Sequence, residues 1–225
     1  RAMAVLRNKK VISYGIRRKA TVTPATFPFR TLLPGEFNTY NALAALGAAY
    51  ALGIKKSIAA RGVAAFTGVP GRMEDIIEKP FRVIVDFAHT PNAIAQVLKT
   101  VHGRGHLIHV FGSAGLRDRS KRPLMGHESS LWADEIILTE EDYRTEDVGR
   151  IMDEIARGIP PEKPVYRYPD RAEAIAFALG RAKKGDTVII TGKGHEKSLC
   201  RGSVEYPWSD QEEVKKYLQE KGLGT

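Results

Sequence analysis

From about residue 73 onward, short runs of Val and Ile alternate with longer stretches whose apolar residues recur every three or four positions. The runs predict strands at Arg82–Phe87, His106–Phe111, Glu135–Leu138, Pro164–Tyr168 and Thr187–Thr191. The stretches between them predict helices at Asn92–Val101, Arg122–Leu131, Thr145–Arg157 and Arg171–Lys183. A last helix, Asp210–Lys221, opens at a Ser209-Asp210 cap with Glu212 and Glu213 in its first turn. Strands that read as continuous apolar runs, alternating with helices, indicate an α/β fold: a mostly parallel, Rossmann-like sheet covered on both faces.

The first third has a different rhythm. Residues 1–30 read as short strands and turns, with Lys10-Val11-Ile12-Ser13-Tyr14 as a strand candidate and Thr23–Pro28 as loop. Asn38–Ile54 predicts a helix that is apolar on nearly every face and stops at Gly53. Such a helix is expected to be buried all round, in a larger core than 70 residues supply. The segment therefore reads as the tail of a domain whose beginning lies elsewhere. Thr67–Arg72, with two Gly and a Pro, marks the boundary, giving parts at 1–72 and 73–225. No internal repeat is visible.

Composition narrows the classes. With 225 residues, 43% hydrophobic and 27% charged, the chain is neither disordered nor of low complexity. The single Cys200 excludes a disulfide framework and a thiolate metal cluster, and reads as structural. No apolar run approaches the ~20 residues of a membrane span, and the opening Arg-Ala-Met-Ala-Val-Leu lacks the features of a signal peptide. The expectation is a soluble, cytoplasmic, monomeric protein with no membrane partner. The net charge of +9 sits almost wholly in residues 1–70, where 11 Lys and Arg face one acid, Glu36. These cations are scattered, without aromatic interleaving. They suit a solvated face first, a phosphate-bearing small ligand second and nucleic acid last.

Ligands of a doubly wound sheet bind beyond the carboxyl ends of its strands, and those ends carry the candidate chemistry. The first strand runs into Asp86-Phe87-Ala88-His89-Thr90-Pro91-Asn92, which either holds a ribose or phosphate or is a helix cap with a structural Asp. The second ends in Phe111-Gly112-Ser113-Ala114-Gly115, followed by Arg117, Arg119, Lys121 and Arg122, either an anion cradle or a basic solvated loop. The third ends in Glu140-Glu141-Asp142-Tyr143-Arg144. Its acids suit an ammonium and its Arg a carboxylate, although acids are also common at helix starts. The fifth ends in Thr191-Gly192-Lys193-Gly194-His195-Glu196, which resembles a phosphate loop without its spacing; no Gly-x-x-x-x-Gly-Lys-Ser/Thr occurs in the chain. His195 and Glu196 lack metal-ligand spacing, so no metal site is expected.

Taken in order, these segments resemble the Mur ligase family. Pro34-Gly35-Glu36-Phe37-Asn38-Thr39-Tyr40-Asn41-Ala42 is similar to the segment opening a helix of that family's central domain, and Gly71-Arg72-Met73-Glu74 to its interdomain arginine motif. Asp86–Asn92, Phe111–Gly126, Gly192–Glu196 and Pro207-Trp208-Ser209-Asp210 resemble further motifs at similar separations. The resemblance implies the end of a central ATPase domain (1–72) and a complete C-terminal domain (73–225). It implies ATP as cosubstrate with Mg2+, whose ligands and phosphate loop would lie upstream. Asn41, Arg72, Asp86 and His89 match ATP-holding positions, with Arg72 as the catalytic cation. Arg117, Arg144, Gly192 and Glu196 match positions that bind the incoming amino acid; Glu141 and Asp142 are added from the residue reading, with Lys121 and Arg122 in the same loop.

The implied reaction makes an acyl phosphate of a carboxylate on UDP-N-acetylmuramoyl-L-Ala-D-Glu, which the amino group of meso-diaminopimelate or a related diamino acid attacks. The isolated chain would be incomplete for it. Two positions depart from the family pattern: Glu141-Asp142-Tyr143-Arg144 stands where Asp-Asn-Pro-Arg is usual, and Leu116 replaces an acid. The alternatives are another ligase of the superfamily, such as cyanophycin or folylpolyglutamate synthetase, and a non-catalytic amino-acid- or nucleotide-binding domain.

Overall fold

A computed structural model describes residues 11–103 and 105–223. The chain forms two compact units that divide between Gly68 and Val69.

The first unit is built on two helices, α1 (Glu36–Ala51) and α2 (Lys56–Ala65). Its small core gathers Val22, Phe27, Leu43 and Leu46, with Ile12, Ile16, Ala59 and Val63 against them. Within the described residues the first helix is covered on one side only. Only Asn38, Ala42, Leu43, Leu46 and Gly47 of α1 are buried, and Tyr40 and Tyr50 are exposed. A cavity of about 380 Å³ opens between α1 and α2, lined by Asn38, Asn41, Ala45, Ala59, Val63 and Phe66 among others. The strand expected at 10–14 reduces to a single bridge between Tyr14 and Val22; Lys10 lies outside the described residues.

The second unit carries a six-stranded sheet in the order β1-β2-β6-β3-β4-β5. Its strands are β1 (Glu74–Ile77), β2 (Arg82–Asp86), β3 (Leu107–Phe111), β4 (Glu135–Thr139), β5 (Val165–Tyr168) and β6 (Thr187–Thr191). All pair in parallel except β1, an antiparallel edge strand absent from the sequence expectation. Strands β2, β3, β4 and β6 are the continuous Val/Ile runs and are buried on both faces.

Alternate residues Val83, Val85, Ile108, Val110, Ile137, Val188 and Ile190 meet two helices, α6 (Arg171–Arg181) and α7 (Asp210–Glu220). The intervening residues face the other way, toward α3 (Pro91–Val101), α4 (Lys121–Trp132) and α5 (Val148–Ala156), which pack side by side. Side chains cap four helix starts: Thr90 for α3, Asp147 for α5, Asp170 for α6 and Ser209 for α7. A hairpin, β7 (Ser198–Arg201) with β8 (Val204–Pro207), follows β6. The carboxyl ends of β2, β3, β4 and β6 all open at one edge of the sheet, and the loops leaving them form the site.

Candidate functional site

The β3 and β4 loops are locked together by backbone. Gly115 N–H donates to the Asp142 carbonyl at 2.8 Å, and a Cβ on Gly115 would lie 1.9 Å from the Tyr143 carbonyl oxygen, so only glycine fits. Arg144 adopts a left-handed backbone (φ 54°). Its Nη1 donates to the carbonyls of Gly115 (2.9 Å) and Asp142 (3.1 Å). Its Nη2 stands 3.9 Å from Asp142 Oδ2.

The β4 and β6 loops meet through Lys193. Its side chain is only 1% exposed, and its ammonium lies 2.7 Å from both Asp142 Oδ1 and Glu196 Oε2. Burial opposes the charged lysine, but the hydrogen bonds to Asp142 and Glu196 prevail and hold its pKa above the usual value. Asp142 Oδ1 also accepts from Cys200 N–H at 3.0 Å, which ties the hairpin to the site.

Glu141 lies beside Lys193 in the same wall and has no such partner. Its Oε2 is buried without a hydrogen bond, as are Ser113 Oγ and Thr139 Oγ1 at the ends of the neighbouring strands. Burial pushes the Glu141 carboxyl up, against the pull of Arg171, Lys121, His89 and Lys193. Gly192 (φ 111°) closes over it: a Cβ there would stand 2.8 Å from Oε2. The candidates Glu141, Asp142, Arg144, Gly192 and Glu196 are thus brought together at one place.

Glu140 is a correction. The sequence reading offered all three acids at 140–142 to an ammonium, but Glu140 is buried and committed. It accepts a fork from Arg201 Nε and Nη2, and an N–H bond from Arg171. Arg171 itself is fully buried, paired with Asp210 at 2.7 Å, and donates to the carbonyls of Glu140 and Thr191. Arg171, Lys193 and Arg201 were not singled out from the sequence as site residues. The stretch Gly192-Lys193-Gly194 was the only signal for any of them.

Arg117 stands exposed on the β3–α4 loop and lines a cavity of about 490 Å³ with Leu116, Arg119, Thr145, Glu146, Asp147 and Arg150. The two cations counted with it do different work. Lys121 donates to the His89 carbonyl at 2.8 Å, and Arg122 is buried in ion pairs with Glu146 and Glu154.

At the end of β2, Arg72 stacks on Phe87 at 4.4 Å from the ring centroid, and His89 meets the same ring edge-on at 4.7 Å. Asp86 is buried, and its two oxygens accept from the N–H groups of Met73 and Ala88, both at 2.7 Å. Burial raises the Asp86 carboxyl in spite of these bonds. The carboxylate therefore shapes the loop that carries Arg72, whose own side chain is exposed. Asn41, in the first unit, donates to Asn38 Oδ1 at 3.2 Å. Among the described residues no cluster of three His, Cys, Asp or Glu is arranged to hold a metal, and no helix is long and apolar enough to cross a membrane.

Comparison with known proteins gives this geometry a family. The model for the Mur ligase, glutamate ligase domain matches residues 71–194. The chain is 40% identical over 211 residues to the UDP-N-acetylmuramoyl-L-alanyl-D-glutamate–2,6-diaminopimelate ligase of Synechococcus elongatus, covering 92% of this chain and 42% of that one. It is 45% identical over 184 residues to the ligase of the same name from Clostridioides difficile, covering 80% and 38%. A solved structure under that name superimposes with a TM-score of 0.67 at 38% identity, over 86% of this chain and 40% of the other. The chain thus spans about two-fifths of the length of the curated relatives it matches. With that domain model matching more than half of the chain, the chain belongs to the Mur ligase family.

Proposed function

We propose that the chain provides the amino-acid-receiving part of an ATP-dependent ligase that adds meso-diaminopimelate to UDP-N-acetylmuramoyl-L-Ala-D-Glu. The observation that carries this reading is the wall formed by Glu141, Asp142, Arg144, Lys193 and Glu196. It holds the buried Glu141 carboxylate, whose Oε2 has no hydrogen bond, and the Arg144 guanidinium, whose Nη1 is held by the Gly115 and Asp142 carbonyls. A ligand that bears an ammonium and a carboxylate on one carbon satisfies both. The names of the relatives point to the same substrate.

In this reading Arg144 and Arg117 pair with carboxylates of the incoming amino acid, and its distal ammonium is received by Glu141 and by the partly exposed Glu196, whose Oε2 alone is held by Lys193. Asp142 acts indirectly, by holding Lys193 and the Arg144 loop. Gly192 keeps side-chain volume away from Glu141. The chain's contribution to rate is alignment of the amine and neutralisation of charge, and none of these residues forms a covalent bond with substrate. Arg72 is the cation offered to phosphate on the β2 side, where Phe87 and His89 fix its direction. ATP supplies the phosphoryl group that activates the acceptor carboxylate. The chain has no phosphate-loop spacing, so it is expected to hydrolyse no ATP alone.

Calorimetric titration of the 225-residue chain with meso-diaminopimelate tests the site. Saturable binding that is lost in Arg117→Ala and Arg144→Ala supports the reading. Equal binding by wild type and both variants contradicts it.

A further inference from the structure

We infer that Glu146 is a positioning residue for the β3–α4 loop, and that the buried Arg122 acts through it to fix how Arg117 is presented beside Arg144. The inference rests on the amino-acid reading above but concerns residues that reading leaves unused.

Leu116 is the odd residue of the loop. Its backbone is left-handed (φ 54°), a region that a leucine occupies only when its surroundings hold it there. Packing does not hold it, because the side chain is 60% exposed. A hydrogen bond does: Leu116 N–H donates to Glu146 Oε1 at 2.5 Å. The residues before it are held too. The Ala114 carbonyl accepts from Arg122 Nη2 at 3.2 Å, and Gly115 N–H donates to the Asp142 carbonyl. Three consecutive residues are pinned from three directions, and Arg117 is the next in the chain.

Glu146 is itself oriented from beneath. Its second oxygen accepts from Arg122 Nη1 at 2.9 Å, and the same Nη1 reaches Glu154 at 2.7 Å. Arg122 has no exposed side-chain surface, so it cannot serve as a ligand cation; its fork joins the β3 loop to the segment after β4. That segment also carries Arg144, two residues before Glu146, and Glu146 N–H donates to the Tyr143 carbonyl at 3.0 Å. One carboxylate therefore links the strained loop before Arg117 to the turn that carries Arg144. If both guanidiniums read carboxylates, their mutual placement depends on Glu146.

The test uses the 225-residue chain as wild type, Glu146→Ala, Glu146→Gln and Glu146→Asp. Three quantities are read: amide hydrogen exchange at Leu116, dissociation constants for meso-diaminopimelate and L-lysine, and melting temperature. In Glu146→Ala, exchange at Leu116 should rise and binding of meso-diaminopimelate should weaken about tenfold, with L-lysine, which carries only one of the two carboxylates, weakened by a smaller factor. Glu146→Gln keeps an acceptor for Leu116 N–H and should recover most of the loss. A folded Glu146→Ala that weakens both ligands equally, or neither, overturns the inference. If wild type binds neither ligand, the amino-acid reading fails, and the positioning role is decided by Leu116 exchange alone: an unchanged rate overturns it. If Glu146→Ala does not fold, Glu146→Asp, whose shorter side chain draws the acceptor back from Leu116 N–H, gives the same readouts, and wild-type exchange and preference in it overturn the inference.

Discussion

Lys193 and Asp142, 51 residues apart in sequence, form an ion pair of 2.7 Å that joins the loops after β4 and β6. The lysine is buried, and it also holds Glu196. An acid offered to a ligand by the sequence alone is thus already neutralised within the protein, while its neighbour Glu141 is left without a partner.

Replacing Lys193 with Met leaves Asp142 the Cys200 N–H and the more distant Arg144 guanidinium as its partners. Breaking a buried pair costs about 3–5 kcal/mol, and Glu196, partly in solvent, favours the low end. A loss of about 3 kcal/mol lowers the melting temperature of a chain this size by roughly 6–12 °C. The Lys193 pKa is raised by folding, so the pair's contribution is present at neutral pH and is lost as pH climbs through the folded value. Calorimetry at pH 7 and well above the ordinary lysine value of 10.5 checks both points: the wild-type advantage should shrink at the alkaline end, and an equal gap at both would contradict the assignment.

Glu141→Gln should move stability the other way. Burial raises the Glu141 carboxyl, so its charged form weakens the fold as pH rises from the ordinary carboxylate range through the folded pKa. The glutamine variant should melt higher than wild type at pH 8 and lose affinity for meso-diaminopimelate. A variant that melts several degrees lower at pH 8 would show that the carboxylate is satisfied by something else.

Glu154 governs the acid limb. Hydrogen bonds from Arg119 and Arg122 hold its carboxyl down to about 2. A depressed folded pKa contributes stability above the ordinary value of 4.5, lost as pH falls through the folded one. Melting curves of wild type and Glu154→Gln should therefore converge between pH 4.5 and 2; parallel curves would contradict this.

Gly115→Ala drives a methyl group into the Tyr143 carbonyl. Overpacking of this kind costs about 1–3 kcal/mol, and here the strain falls on the contact that aligns Arg144. Binding of meso-diaminopimelate should fall more than stability does. Wild-type affinity in the folded variant would show that the two loops are not held in register by this contact.

The sheet was legible because β2, β3, β4 and β6 are apolar on both faces, a signal carried by the strands themselves. The elements that escaped lack such a signal. Strand β1 is a four-residue edge with one buried side chain, β8 is wholly exposed, and α2 has only partly buried residues against the core. Their formation depends on pairing and packing rather than on local pattern. The site divides the same way. Arg144, Gly192 and Glu196 stand at strand ends, where topology predicts ligands. The commitments of Glu140 to Arg201 and of Arg171 to Asp210 span 61 and 39 residues, and no spacing rule reveals them.

The central claim is that Arg144 reads a distal carboxylate. Lysine has none, and an unmade charge-assisted bond costs about 1.5–3 kcal/mol, or roughly 10- to 150-fold in preference. The direct measurement places these residues in the matching segment of the Clostridioides difficile ligase and compares kcat/KM for meso-diaminopimelate and L-lysine, with and without Arg144→Ala. A strong diaminopimelate preference is expected, which Arg144→Ala narrows, mainly by weakening diaminopimelate. Equal use of the two amino acids by the unmutated chimera would contradict it.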